Sequence, residues 1–76
     1  MDIKQIKLPL KTDTDPHPRL MVGNYGVHAG DCFVALLPEG WTDISLEVDW
    51  NTKGPECWYI PQKPEISPIG LFVKER

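Results

Sequence analysis

The stretch Trp41-Thr42-Asp43-Ile44-Ser45-Leu46-Glu47-Val48 decides the fold. Ile44, Leu46 and Val48 alternate with Asp43, Ser45, Glu47 and, one step further, Asp49. A period of two sends successive side chains to opposite faces, so one face is buried and the other wet. A helix would need its apolar residues three and four apart. Upstream, Pro38-Glu39-Gly40 is a tight turn, and before it Cys32 to Leu37 is apolar throughout. There Phe33, Ala35 and Leu37 share one face, and Cys32, Val34 and Leu36 share the other. A strand apolar on both sides is expected to be a central one covered on both, or one that bends around a barrel.

The same grammar extends to both ends. Ile6, Leu8 and Leu10 alternate with Lys7, Pro9 and Lys11; Pro9 lacks a ladder N–H, so an edge strand or extended arm is expected. Lys11 to Pro18 is a polar loop with two prolines. Arg19 to Val22 is a short strand, followed by a turn at Gly23-Asn24-Tyr25-Gly26, where glycine and asparagine tolerate positive φ. Ala29-Gly30-Asp31 is a second turn. Beyond the central strand, Asn51 to Glu56 is a loop and Cys57 to Ile60 an aromatic, β-branched strand. Pro61 to Gly70 is a proline-rich connection that Ile66 and Ile69 pin to the core, and Leu71-Phe72-Val73 closes the chain.

Eight prolines and six glycines leave no window of ten residues with clean helical periodicity. The expectation is one all-β domain over residues 1–76, with residues 1–18 as arm and loop and residues 19–76 as an antiparallel barrel of five to six strands. Closure would remove aggregation-prone edges. The order of turns and strands is analogous to an SH3-like barrel.

At 76 residues, 41% apolar, with three Trp, two Tyr and two Phe, the chain holds one compact core and little room for a deep substrate pocket. Eleven acidic and eight basic residues give a net charge of −3. That lacks the basic footprint of a nucleic-acid binder, so no direct nucleic-acid contact is expected. The first twenty residues have no apolar signal-peptide region, and no apolar run approaches the ~20 residues of a membrane span. A cytoplasmic protein without membrane contact is expected, with Cys32 and Cys57 as reduced thiols.

The segments His28-Ala29-Gly30-Asp31-Cys32-Phe33, Gly40-Trp41, Leu46-Glu47-Val48 and Trp58-Tyr59-Ile60 together resemble a family of small proteins of unknown function from Gram-positive gut bacteria and their mobile elements. The resemblance covers Tyr25 to Ile60. Val48 stands where that family more usually has an aromatic, the Trp50–Glu56 loop is longer, and the proline-rich tail has no counterpart. The resemblance supports the fold and implies no activity.

Candidate chemistry is sparse. His28 and Asp31 flank a glycine turn, and an acid beside a histidine can tune it for proton transfer. A turn aspartate bonding backbone N–H groups is the commoner use of that pattern. His17, His28, Cys32 and Cys57 lack the paired spacing of a zinc site, so no metal or other cofactor is expected. Asp43, Glu47 and Asp49 on one strand face read as a solvated surface before they read as a glycosidase pair. The prolines Pro61, Pro64 and Pro68 read as a rigid loop rather than a ligand for another domain.

The aromatic set says more. Trp41 and Trp58 lie on strands and are expected in the core. Trp50 and Tyr25 lie at a loop and a turn and are expected at the surface, where such residues mark binding hot spots. The expected function is a non-catalytic protein-interaction module of a bacterium or mobile element. Its contact surface would be Tyr25, Trp50, Asp43, Glu47 and Asp49, its partner a protein, and a homodimer is open to it through exposed strand edges. Two alternatives stand beside it: an element-borne inhibitor of a host defence enzyme, with its acids grouped on one side, and a minimal metal or acid–base enzyme.

Overall fold

The computed structural model describes residues 3–8 and 17–75. Within them run eight strands: β1 (Lys4–Lys7), β2 (Met21–Val22), β3 (Tyr25–Gly26), β4 (Cys32–Leu37), β5 (Gly40–Ser45), β6 (Glu47–Val48), β7 (Trp58–Tyr59) and β8 (Phe72–Lys74). The described residues contain no α-helix, and a 3₁₀ turn at Pro55–Cys57 precedes β7. The protein is all-β and every pairing is antiparallel. One sheet has the order β3-β2-β1-β8-β4-β5, and β6 and β7 form a second.

Turn chemistry sets the registers. The β2–β3 hairpin pairs Val22 with Tyr25 across Gly23-Asn24, and Gly23 has φ 62°. Glycine with positive φ at the first central position marks a type II′ hairpin. The β4–β5 hairpin pairs Leu37 with Gly40. Pro38 and Glu39 keep negative φ, since no described non-glycine residue is positive, and Gly40 follows at φ 113°. A primed turn is thereby excluded, and the glycine supplies the left-handed residue that lets this hairpin close.

The core comes from the predicted alternation. Phe33, Ala35, Leu37, Ile44 and Leu46 are buried, joined by Ile6, Leu20, Val27, Cys57, Trp58, Ile60 and Val73. Ile66 and Ile69 pack on its margin. Each large aliphatic residue fully withdrawn from water contributes roughly 1.5–3 kcal/mol before entropy is counted.

Four expectations need correction. The sheet is open: β3 and β5 are its two ends, so the barrel does not close. At the β5 end the Gln62 side chain accepts from the Ser45 N–H and donates to the Ser45 hydroxyl, which obstructs further strand pairing there. Second, β1 is no edge or arm. It pairs with β2 through Ile6 and Lys7 and with β8 through Lys4 and Gln5. The strand ends at Lys7, and Pro9 and Leu10 lie outside the described residues.

Third, the Trp41–Val48 strand is interrupted at Leu46. The Leu46 N–H donates to the Asp31 carbonyl (2.9 Å) and its carbonyl accepts from the Gly30 N–H (2.7 Å). There the chain leaves β4 and continues as β6 against β7. Fourth, β4 is covered on one face only. Cys32 and Leu36 are exposed and Val34 is half-buried. Leu36 pairs with Trp41, so the hairpin register carries Trp41 to that same outer face. Trp41 is 39% exposed and lies outside the core, whereas Trp58, at 6%, lies inside it.

Candidate functional site

Trp58 builds the floor of a groove beside Trp50. Its indole N–H donates to the Pro18 carbonyl at 2.7 Å, across 40 residues of sequence. That bond fixes the segment from His17 to Leu20 against β7. The segment continues through the Val27 N–H, which donates to the Leu20 carbonyl at 2.8 Å. Between this wall and the β6 end lies an open groove of about 340 Å³, with Val48 and Trp50 as its accessible apolar surface over the buried Val27 and Trp58, and His17, Arg19 and His28 among its polar lining. Trp50 forms one side.

Trp50 is 66% exposed, yet it is held. The His17 Nε2–H donates to the Trp50 carbonyl at 3.1 Å, and the two rings meet edge-to-face with centroids 5.0 Å apart. A carbonyl only accepts, so His17 carries its proton on Nε2. The Arg19 guanidinium donates to the Val27 carbonyl at 3.0 Å, using one of its five N–H groups.

The other lip is the Ala29–Asp31 turn. The Tyr25 hydroxyl donates to Asp31 Oδ2 at 2.6 Å, and the His28 backbone N–H donates to the same oxygen at 2.8 Å. His28 Nδ1 lies 3.3 Å from the Tyr25 oxygen and 3.8 Å from Asp31 Oδ2. The phenol proton is already given to Asp31, so Nδ1–H must donate to the phenol oxygen. A neutral His28 therefore keeps its lone pair on Nε2. Burial pushes the Asp31 carboxyl upward, but the Tyr25 hydroxyl, the His28 amide and the charges of His28 and Arg19 outweigh it and hold Asp31 below its usual value. The same Tyr25–Asp31 hydrogen bond, with slight burial and the Asp31 charge, raises the Tyr25 phenol; Arg19 opposes that shift.

Of the residues singled out from sequence, Trp50 lines this groove, whereas Tyr25 does not and reaches it only indirectly, through its contact with the lining residue His28 (ring centroids 5.9 Å). The acids do not join them as one patch. Asp43 sits on β5 opposite Val34, and Glu47 sits on β6 opposite Tyr59. Asp49 is engaged in a turn, accepting from the Asn51 N–H (3.0 Å) and the Thr52 hydroxyl (2.9 Å). The bend at Leu46 is what separates them. Arg19 was not singled out from sequence, and His17 was weighed there only as a metal ligand; their place beside the groove depends on the Trp58–Pro18 bond, which has no local signal.

Among the described residues, no three His, Cys, Asp or Glu side chains gather as metal ligands, and no helix is long and apolar enough to cross a membrane. Cys32, exposed, and Cys57, buried, are not joined in a disulfide. No family model, curated protein or solved structure matches the chain.

Proposed function

We propose that the chain is a non-catalytic protein-interaction module that holds a segment of a partner protein between Trp50 and His28. The observation that carries this reading is the state of Trp50: an indole two-thirds exposed, but already oriented by His17. A large aromatic surface ordered before binding loses little entropy on contact, which is the property of a hot-spot residue. The groove beside it is apolar at Val48, over the buried Val27 and Trp58, and bordered by Arg19 and two histidines. That chemistry suits an apolar side chain next to a carboxylate. A bacterial or mobile-element setting follows only from the sequence resemblance.

Asp43 on β5, Glu47 on β6 and Asp49 in the turn after β6 form no single row on one strand, which gives the acidic-inhibitor reading less support than the groove reading. The test is capture of a partner with the tagged chain, followed by calorimetric titration of the identified partner against wild type and Trp50→Ala. Loss of roughly 2 kcal/mol or more of binding free energy is expected. Because Trp50 is largely exposed, unfolding stability should change by no more than about 0.5 kcal/mol. Equal affinity in the two proteins refutes the reading.

A further inference from the structure

The outer face of the large sheet carries a second set of exposed apolar side chains, remote in role from the groove. The registers arrange them in two rows across β1, β8, β4 and β5. Gln5 pairs with Phe72, and Leu36 pairs with Trp41. Val34 pairs with both Lys74 and Asp43, so one register step further Phe72 stands beside Leu36. The first row thus reads Gln5, Phe72, Leu36, Trp41. By the same step from Lys4↔Val73, Ile3 joins the second row: Ile3, Lys74, Val34, Asp43. Ile3, Leu36, Trp41 and Phe72 are 57%, 44%, 39% and 47% exposed. The Lys74 ammonium lies 4.5 Å from the centre of the Trp41 ring, leaning across the patch.

We infer that this face is the interface of a symmetric homodimer, with a two-fold axis running along β4. The order of residues carries the inference. Rotation about that axis lays β5 of one copy over β8 of the other. Leu36 then meets Leu36 and Val34 meets Val34 on the axis. Trp41 meets Phe72 of the second copy, and Asp43 meets its Lys74. Aromatic faces aromatic and anion faces cation, each twice, as an isologous contact requires. The face therefore complements itself in both shape class and charge. Asp43 need not abandon contacts within its own chain, because a carboxylate offers about four acceptor sites. Sheets packed this way lie about 10 Å apart with their strands within about 30° of alignment.

The composition of β4 points the same way. Its six residues are apolar on both faces, while the monomer covers only Phe33, Ala35 and Leu37. A second cover for that face would come from another molecule, and the two-fold match makes another copy the best-fitting one. At the β5 edge, which flanks this face, the Gln62 side chain occupies the Ser45 N–H and hydroxyl and so obstructs strand pairing at that end.

The patch is small. Three strands about 4.8 Å apart, each over five residues of about 3.3 Å, span roughly 240 Å² of plane. Stable dimers bury about 800 Å² per partner, so the association is weak and reversible.

Sedimentation equilibrium from about 10 μM to 1 mM tests this. The wild-type chain should pass from monomer to dimer within that range. Leu36→Glu places two carboxylates against each other on the axis and should lower the association constant at least about 100-fold. Asp43→Lys and Lys74→Asp should each weaken it, and the double exchange should recover it, a pattern that only self-recognition produces. Circular dichroism of each variant confirms that the strands persist. A wild-type chain monomeric at 1 mM, or a double exchange no better than either single one, overturns the dimer. Neither outcome bears on the Trp50 groove, whose residues lie outside this patch.

Discussion

Trp58→Phe removes the indole bond by which β7 holds the His17–Leu20 wall. The indole N–H leaves, and the Pro18 carbonyl, in a segment whose Pro18 side chain is fully buried, loses its partner. An unsatisfied buried acceptor costs about 1–3 kcal/mol. The smaller ring also leaves unfilled space at a site only 6% exposed, adding roughly 1–2 kcal/mol. The sum, about 2–5 kcal/mol, is large beside the roughly 4–11 kcal/mol expected for a domain of 76 residues. Urea denaturation followed by far-UV circular dichroism gives the free energy, and a thermal scan should show a fall of at least about 8 °C. Hydrogen exchange locates the damage: the Val27 amide, bonded to the Leu20 carbonyl, should lose protection early. Trp50→Phe is the matched control and should move stability by no more than about 0.5 kcal/mol. A loss under about 1 kcal/mol for Trp58→Phe would mean that the wall is held by something other than this bond.

Asp31→Asn should lower stability above the carboxylate range, and the gap to wild type should close as pH falls. The sign follows from linkage: the folded carboxyl titrates below 3.8, so its stabilisation is present above that unfolded value and is lost as pH drops through the folded one. Urea midpoints at pH 6 and at about pH 2.5 measure it, and a pH-independent gap contradicts the hydrogen-bond account. In the same variant the Tyr25 phenol should titrate closer to 10.0, read by ultraviolet absorbance. Gly40→Ala should cost about 1–2 kcal/mol through backbone strain alone, since an added Cβ meets no atom within 4 Å while φ is 113°. A neutral result means that the β4–β5 turn relaxes to another geometry. A thiol reagent should label Cys32 quickly in the native protein and Cys57 only on unfolding; equal rates contradict the burial of Cys57.

Much of the fold was legible because its signals are local. Cys32–Leu37 and the turn at Pro38–Gly40 were readable to the residue, since a continuous apolar run and a proline–glycine turn act within six residues. The alternation Ile44, Leu46, Val48 correctly named core side chains, two fully and one partly buried. The break at Leu46 was not legible. It exists because Gly30 and Asp31, fifteen residues upstream, supply its hydrogen bonds. The inner place of β1 was hidden for a similar reason: Pro9 signalled an edge, but Lys4–Lys7 pairs with β2 and β8, both distant in sequence. Of the site, the surface positions of Tyr25 and Trp50 followed from turn and loop context. The groove beside Trp50 required Trp58 to reach Pro18, a contact no window of sequence contains.

The error over Trp41 is the most instructive, because the sequence held the means to avoid it. A two-residue turn at Pro38-Glu39 forces Leu37 opposite Gly40 and hence Leu36 opposite Trp41. Paired residues in an antiparallel ladder share a face. Trp41 therefore had to go wherever Leu36 went, and Leu36 lies on the face opposite Phe33 and Ala35. A single 76-residue chain has no third layer with which to cover that face. The two facts together, a strand apolar on both sides and a chain with material for one core, demand an outside surface. Trp41 is thus out of place as a core residue of one chain and well placed as an interface residue between two. The same reasoning separates it from Trp50, which stands alone at a loop, held by one histidine beside an open groove. One indole belongs to a repeated, self-complementary row, and the other to a solitary notch, so the two are suited to different partners.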